Sequence, residues 1–512
     1  SRLADMLTAV DEVCARHNVQ AGHVFHAGDG NLHPVIMCDA RDEELMGRVF
    51  AACDEIIELC VDRKGSITGE HGVGIEKRRF MPAMYSGSEL AAMLDLKAIF
   101  DPDNLLNPGK IFPDNLPAAT YAAPESPSAT PFAPTTAAEA AAAFVALGQQ
   151  GQKVRIVSQT EPADATAPNH LTTRSLSGIQ EFAPADLYVT VGTGTTVAEL
   201  TDFLREHKLQ TALVSPWPDA TVGSLLASNV NSPQRTRYGA LRDNLLSTTV
   251  ALADGRVIQA GRVVVKNVAG YDLPKLFVGS QGTLGLMTDA TLKLYPLPRA
   301  QASLYVPVDS PAAGIAVSRA IARTLRVNAG LVLCPAAVLE AELDAAYGLV
   351  MTAEGIAEDV QSEVRLLHEQ LGAVAPMAIR TSSLSAVASW QRVLNAVPAE
   401  ALLVRVGVPN KTLGTYLSQI DAQLTAADGH LVDLLHGLLY LYRIPETASD
   451  GVRWLDGLRQ PAATLDGYAA AMAVPASLQG KIDRWALRPA IQQHMVQLQQ
   501  RWDPHGILEC SW

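Results

Sequence analysis

The sequence holds no apolar run approaching the roughly 18–20 residues needed to span a bilayer, which excludes an ordinary membrane-spanning helix. It has no Cys-x-x-Cys pair. Its six cysteines, Cys14, Cys38, Cys53, Cys60, Cys334 and Cys510, are scattered. That spacing excludes a disulfide framework and an iron–sulfur site within the chain, and fits reduced thiols in the cytoplasm. Positive charge is in deficit. A formal net charge of −13 leaves nothing to neutralise phosphates, so nucleic acid is excluded as a partner. The nicotinamide fingerprint Gly-x-Gly-x-x-Gly is missing, because Gly192-x-Gly194 leads only to Val197. An initiating methionine and a signal-peptide pattern are also lacking. Ser1 runs directly into an amphipathic helix with Leu3, Met6, Leu7, Val10 and Val13 at helical spacing, which reads as a fragment of a longer polypeptide or a processed product.

What is present describes a large globular chain. At 512 residues, 48% hydrophobic and 18% charged, it is too long for one core and predicts three or four domains. Residues 1–113 form a first unit: the opening helix, a strand-like stretch His23–Cys38, a helix from about Glu43 to Lys64, the glycine-rich Gly65–Gly74, and a helix near Glu89–Phe100 stopped by Asp101-Pro102. Residues 114–134, with five prolines among Ala, Ser and Thr, read as an extended linker that buries little. Residues 135–300 open with the capping pattern Thr136-Ala-Ala-Glu139. They carry strands at Lys153–Ser158 and Leu187–Val191, a second capping box at Thr196–Glu199, and a hairpin about Asp254-Gly255, an α+β pattern. Residues 301–512 repeat a strand–helix rhythm and close with a helix over about Lys481–Trp502, a ferredoxin-like α/β cap. An internal repeat is visible at the two ends. Phe100-Asp101-Pro102-x-Asn104-Leu105-Leu106-Asn107-Pro108-Gly109-Lys110 parallels Trp502-Asp503-Pro504-x-Gly506-Ile507-Leu508-Glu509-Cys510, with Asn-Pro-Gly-Lys lost from the second copy.

Two stretches carry chemistry. In the run Lys266–Leu286, Gly270, Gly279, Gly282 and Gly285 stand among apolar residues with Tyr271, Asp272 and Thr283. Glycine at that density means backbone that turns sharply or lies close to something flat and anionic held by main-chain N–H groups; a plain turn between strands is the alternative. In the first unit, His26-Ala-Gly-Asp-Gly-Asn-Leu-His33 has glycines that let the backbone bulge between two histidines. With Glu70 they form a three-ligand divalent site with open positions, of the kind zinc takes, and His71 beside them is a proton acceptor for a substrate hydroxyl. The alternative is two histidines in a turn with Glu70 solvated. A metal hydrolase on these residues would lack a nucleophile arrangement.

The motifs HAGDGNLH, GEHGVGIEKR and NPGK resemble those of the FAD-linked 2-hydroxy acid dehydrogenases, notably the glycolate oxidases and the D-lactate enzymes, over nearly all of residues 20–113. The resemblance implies metal ligands at His26, His33 and Glu70, a base at His71, and flavin proximity for Asn107 and Lys110. Residues 134–512 resemble a different, FAD-binding component of the glycolate oxidases. The chain thus looks like that component fused behind the carboxyl-terminal portion of the first. The run 266–286 resembles the flavin segment of the vanillyl-alcohol oxidase type (PCMH-type FAD domain). That likeness implies FAD contacts at Gly223, Ser224, Asn229, Tyr238, Gly239, Asp243, Gly270, Tyr271, Asp272, Gly279, Gly282, Thr283 and Gly285. The expected fold is α+β: a PCMH-type FAD-binding domain with a ferredoxin-like cap, preceded by a partial FAD-linked oxidase carboxyl-terminal domain.

Two departures accompany the likeness. The pyrophosphate loop expected after Val154–Val157 reads Ser158-Gln-Thr-Glu-Pro-Ala-Asp164, without glycine and with two acids unfavourable beside a diphosphate. The second half also lacks a metal motif, and His430 and His436, among leucines, are expected in core or interface. The resemblance implies oxidation of a small 2-hydroxy acid within a complex containing an iron–sulfur subunit and an FAD-binding catalytic subunit, cytoplasmic or at the inner face of the plasma membrane. A non-catalytic assembly subunit with a degenerate FAD fold is the other expectation.

Overall fold

The structure, a computed structural model, describes residues 3–28, 30–127, 132–158, 169–264, 266, 268–339, 345–374, 380–382 and 384–509. The opening helix Leu3–Arg16 packs Met6, Val10, Val13 and Cys14 against Val49 and Ala52 of helix Glu43–Asp62, a small core closed by a β-hairpin. That hairpin corrects the single strand expected over His23–Cys38. Gln20–His26 and Asn31–Met37 pair antiparallel around a turn, so the glycines reverse the chain where a bulge was expected. Residues 67–96 join a different core. Ile67, Phe80, Met81, Leu90 and Met93 are buried together with Val222, Leu245, Leu273 and Phe277.

Residues 114–127 of the proline-rich stretch form no helix or strand, yet they are tied to the domains on either side. Ser88 Oγ donates to Thr120 O, Ala122 N–H to Gly255 O, and Glu125 N–H to Ala142 O. A Cβ on Gly87 would collide with Ala118 O, so only glycine lets the chain pass there.

Past it, the alanine-rich helix Ala137–Gln149 starts at its Thr136 cap and lies on a parallel pair, Val154–Val157 with Asn169–Thr172. An antiparallel sheet follows, with Leu286–Met287, Leu245–Ala251, Asp289–Lys293, Tyr188–Gly192 and Ile179–Ala183 side by side and Val257–Gly261 beside Leu245–Ala251.

The cap is one eight-stranded antiparallel sheet. Its order runs Arg380–Ser382, Ala300–Val308, Tyr347–Gly355, Asn328–Pro335, Gly429–Asp433, Leu438–Arg443, Leu402–Gly407, Tyr468–Ala473. Each half has the chain order βαββαβ, so two ferredoxin-like units meet edge to edge through Val332–Asp433 and Leu333–Val432. Alternation puts Leu304, Leu331, Leu349 and Val404 under the cap helices. Their neighbours Tyr305, Val332, Val350 and Leu403 face the domain that precedes the cap, so both sides of the sheet are buried. Two sequence boundaries shift. The last helix is Pro489–Trp502, because Pro489 suits a first turn and not an interior. The rhythm expected over 301–512 predicts one helix over about Leu413–Leu424, and the structure breaks it at Ile420 into Leu413–Gln419 and Asp421–Thr425. No helix among the described residues is long and apolar enough to cross a membrane.

His430 lies on a buried cap strand with neither ring nitrogen hydrogen-bonded among the described residues, and burial pushes its pKa down to about 4. It therefore stays neutral in the fold and takes a proton on unfolding. Stability from this residue is whole above the ordinary histidine range and is lost as pH falls from about 6.5 to about 4, by about 3 kcal/mol. Urea unfolding at pH 7 and pH 4.5 is expected to show that loss, reduced in His430→Leu. An equal loss in the variant would assign the acid sensitivity elsewhere.

Candidate functional site

The hairpin register sets His26 opposite Asn31 and His33 opposite Val24, which puts both histidines on one face as diagonal neighbours. Their rings stand edge to face with centroids 5.4 Å apart, and Asn31 Nδ2 lies 3.3 Å from His33 Nε2. Glu70 comes from the loop after Gly69, where a Cβ would meet Asn31 Oδ1 at 2.8 Å. Its carboxylate lies 3.9 Å from His26 Nε2 and 3.7 Å from His33 Nε2. The ligand atoms of the three residues all fall within 4.8 Å of one another. The tilted His71 ring follows at 5.3 Å from the His33 ring, on the exposed side.

The motifs leave one partner out. Lys266, from the glycine-rich run of the second unit, donates to Glu70 Oε1. Its ammonium, more than any other neighbour, holds the Glu70 carboxyl below its ordinary pKa. The pair joins positions 196 apart, so the site belongs to both units. The only available signal was the lysine heading that run.

These residues fit a divalent ion after a small closure, since zinc bound at about 2.0–2.2 Å brings tetrahedral ligands to about 3.3 Å from one another. A metal would take Glu70 from Lys266. Dialysis against Zn²⁺ is expected to load one ion per chain, lost in His26→Ala/His33→Ala; equal loading of the variant would remove these ligands from consideration.

The cofactor-type residues fall into three groups. In the first, the glycine turns interlock. Gly223 lies against Thr193, with a Cβ position 2.8 Å from the Thr193 Cβ, and its N–H bonds to Thr193 O. Ser224 closes a capping box with Thr221 on helix Val222–Ser228. Asn229 ends that helix in the left-handed region, where Gly279 packs on it and donates to Leu226 O. Gly282 meets Ile156, Gly285 meets Ala251 O, and the Thr283 hydroxyl donates to Ser280 O. The buried hydroxyls of Ser280 and Thr173 find no protein partner among the described residues. Unmet donors beside a glycine cradle fit a phosphate-bearing cofactor such as FAD. The Gln159–Asp164 part of the acidic loop lies outside the described residues, as does Asn267.

The second group, Tyr238, Gly239 and Asp243, is a closed knot. Asp243 accepts from Ala240 N–H, Asn244 and Tyr295 bond to Tyr238 O, and Gln210 donates to the Tyr238 hydroxyl. Burial, then Glu354 of the cap, raises the Tyr238 pKa. The third group lies where the units meet. Asn107 and Lys110 line a cavity of about 370 Å³ with Leu96, Tyr271 and Asp272, and Phe112 stands edge to face on Tyr271. Asp272 pairs with Lys275. Gly270 makes room for Met93 Sδ, 2.8 Å from its Cβ position, so its bareness serves the joint between units.

Residues 1–111 match the family model for the carboxyl-terminal domain of FAD linked oxidases, and residues 129–261 that for an FAD binding domain. The chain is 42% identical to glycolate oxidase subunit GlcD of Escherichia coli strain K12 over 111 residues, 22% of each chain. It is 34% identical over 135 residues to D-lactate dehydrogenase [cytochrome] 1, mitochondrial, of Saccharomyces cerevisiae, covering 26% of this chain and 23% of that one. It is 35% identical over 136 residues to E. coli K12 glycolate oxidase subunit GlcE, covering 26% and 39%. The chain thus spans 22–39% of the length of these relatives. Among solved structures, alkyldihydroxyacetonephosphate synthase superposes with a TM-score of 0.54 at 13% identity, over 74% of this chain and 76% of that one, a likeness of fold. The fold is a PCMH-type FAD-binding domain with its cap, preceded by part of an FAD-linked oxidase carboxyl-terminal domain, and the family match supports FAD as cofactor.

Proposed function

We propose that this chain is an FAD-dependent oxidoreductase component that oxidises a small 2-hydroxy acid, of glycolate or D-lactate type, to the 2-oxo acid within a glycolate-oxidase-like complex. The observation that carries this reading is the Lys266–Glu70 pair, which closes the histidine–carboxylate cluster onto the glycine-rich segment of the FAD-type domain. In this reading residues 1–113 supply the substrate and metal side, 135–300 the cofactor side and 301–512 the cap.

His26, His33 and Glu70 would hold a divalent ion that orients the substrate carboxylate and hydroxyl. His71, exposed beside them, takes the hydroxyl proton as the C2 hydrogen departs. Lys266 supplies positive charge next to an anionic substrate. The glycine turns at Gly223, Gly279, Gly282 and Gly285 would hold FAD, which would supply the two-electron acceptor for the hydrogen and electron pair leaving C2. An iron–sulfur subunit would serve as the next electron acceptor, with a separate FAD-binding catalytic subunit in the same assembly, at the inner face of the plasma membrane. The relatives GlcD and GlcE, named as subunits of glycolate oxidase, support a multi-subunit assembly.

The second reading, an assembly subunit without turnover, draws on three features: the acidic loop sequence after Val157, the closed Tyr238 knot, and the end of the second repeat. There Glu509 stands at the position matched by Asn107 and pairs with Arg155. The test is reduction of an artificial acceptor by the assembled complex, with this chain either wild type or His71→Gln, given glycolate, D-lactate or L-lactate. Reduction by glycolate or D-lactate that is lost in His71→Gln is expected, and reduction unchanged by that substitution would favour the assembly role.

A further inference from the structure

A cleft of about 420 Å³ opens where the FAD-type domain meets the rim of the cap, with Arg237, Arg326 and His436 on its walls and Leu325 and Leu435 beside them. Three elements bring these side chains together. Arg237 stands on the short helix Arg235–Tyr238, its guanidinium 5.8 Å from the Tyr238 ring centroid and close to Gly355 of the cap, where a Cβ would lie 3.3 Å from Nη2. Arg326 lies in the loop between helix Pro311–Ile321 and strand Asn328–Pro335. Buried Glu363 fixes that loop by accepting from the backbone N–H groups of Arg326 and Val327 at 2.6 and 2.7 Å, so the arginine side chain leaves from an anchored point. His436 sits in the turn between strands Gly429–Asp433 and Leu438–Arg443. Buried Asp433 accepts from Leu435 and His436 N–H and holds His436 Nδ1 at 2.9 Å, which leaves Nε2 as the ring nitrogen available to a ligand.

The charges of the two arginines are unanswered. Arg78 pairs with Asp114, Arg155 with Glu509, and Arg256 with Asp95 and Asp254, whereas among the described residues Arg237 and Arg326 pair with no carboxylate. The acids behind the cleft are engaged elsewhere. Asp433 serves the turn, Glu363 serves the loop, and Glu354 takes Gln301 and the Tyr238 hydroxyl. In a chain of net charge −13, two exposed guanidiniums left unpaired across one cleft are a local surplus of positive charge. Guanidinium selects oxyanions, carboxylate or phosphate, because its fork of N–H donors matches their oxygens.

We propose that this cleft binds a small organic dianion, a phosphate monoester or a dicarboxylate, between Arg237 of the FAD-type domain and Arg326 of the cap. The anionic oxygens take the two guanidiniums, Nε2 of His436 meets a third polar atom, and the carbon body lies on Leu325 and Leu435. A bound ligand joins residues of two domains, so occupancy holds the cap rim against the short helix Arg235–Tyr238. The site shares no residue with the His26–His33–Glu70 cluster or with the glycine turns, and the inference stands apart from the oxidation reaction.

The test is calorimetric titration of the full chain, with FAD in excess and no added metal, by glycerol 3-phosphate and separately by succinate. One site per chain with a Kd of about 1 mM or tighter is expected for at least one of them, and the tighter ligand tells which anionic group the cleft prefers. Arg237→Gln/Arg326→Gln is expected to weaken that binding roughly 100-fold, since two charge-assisted contacts go. Both side chains are exposed, so the unfolding midpoint of the ligand-free variant stays unchanged. Arg323→Gln, at an exposed arginine of the same segment that does not line the cleft, is expected to bind as the parent does. Ligand is also expected to slow exchange at the Tyr238 and Gly239 amides, which bond to Gln234 O and Arg235 O, by roughly 10-fold. Binding of neither ligand, or binding equally tight in the double variant, overturns the proposal. So does an equal loss in Arg323→Gln, which would trace the attraction to general surface charge.

Discussion

Trp502→Ala is expected to cost about 3–5 kcal/mol of stability, whereas Phe100→Ala, at the matching position of the other repeat, is expected to cost under about 1 kcal/mol. The tryptophan has no exposed surface, stacks on Phe277 with centroids 5.8 Å apart, and donates its indole N–H to Asp95. Its removal opens a cavity and takes one partner from Asp95, which also accepts from the buried Arg256. Phe100 stands mostly in solvent, its ring tilted against that of His494, so truncation removes little buried area. Chemical unfolding midpoints of the two variants decide the matter; equal losses would contradict the difference in covering between the two repeated ends.

His71→Gln is expected to lower turnover of the 2-hydroxy acid by the assembled complex roughly 10²–10⁴-fold, with the flavin spectrum and metal content kept. The ring is beside His33 but is not one of the three ligands His26, His33 and Glu70, so its loss removes a proton acceptor and spares the ion. Steady-state rates and flavin absorbance on one preparation separate the outcomes. Near-normal turnover would take His71 out of the reaction, and loss of the flavin band would make its role structural.

Local chemistry was the legible part of this chain. The spacing of His26 and His33 marks them as a pair, but the glycines between them reverse the chain, where their sequence suggests a bulge within one strand. Caps at Thr136 and Thr196 set helix starts that the structure keeps. The repeat about Asp101 and Asp503 was visible because proline, carboxylate and aliphatics must recur together to build that turn. Long-range partners were illegible: nothing near Lys266 says that its charge will meet Glu70, and nothing near Asp95 points to Arg256 and Arg501. Gly270 also packs against Met93, a neighbour that the density of glycines in its run does not announce. The cap was read as a rhythm only, because its strands are buried on both faces and lose the alternation that marks a half-exposed sheet.

The most direct measurement of the central claim is the visible spectrum of the purified full chain, taken before and after anaerobic glycolate or D-lactate. A flavin band at close to one per chain, bleached by substrate, is the expected result: it places FAD on the glycine cradle and joins it to the His26–His33–Glu70 cluster in one working site. A protein that stays colourless after reconstitution with FAD would contradict the account and assign the oxidation chemistry to another chain.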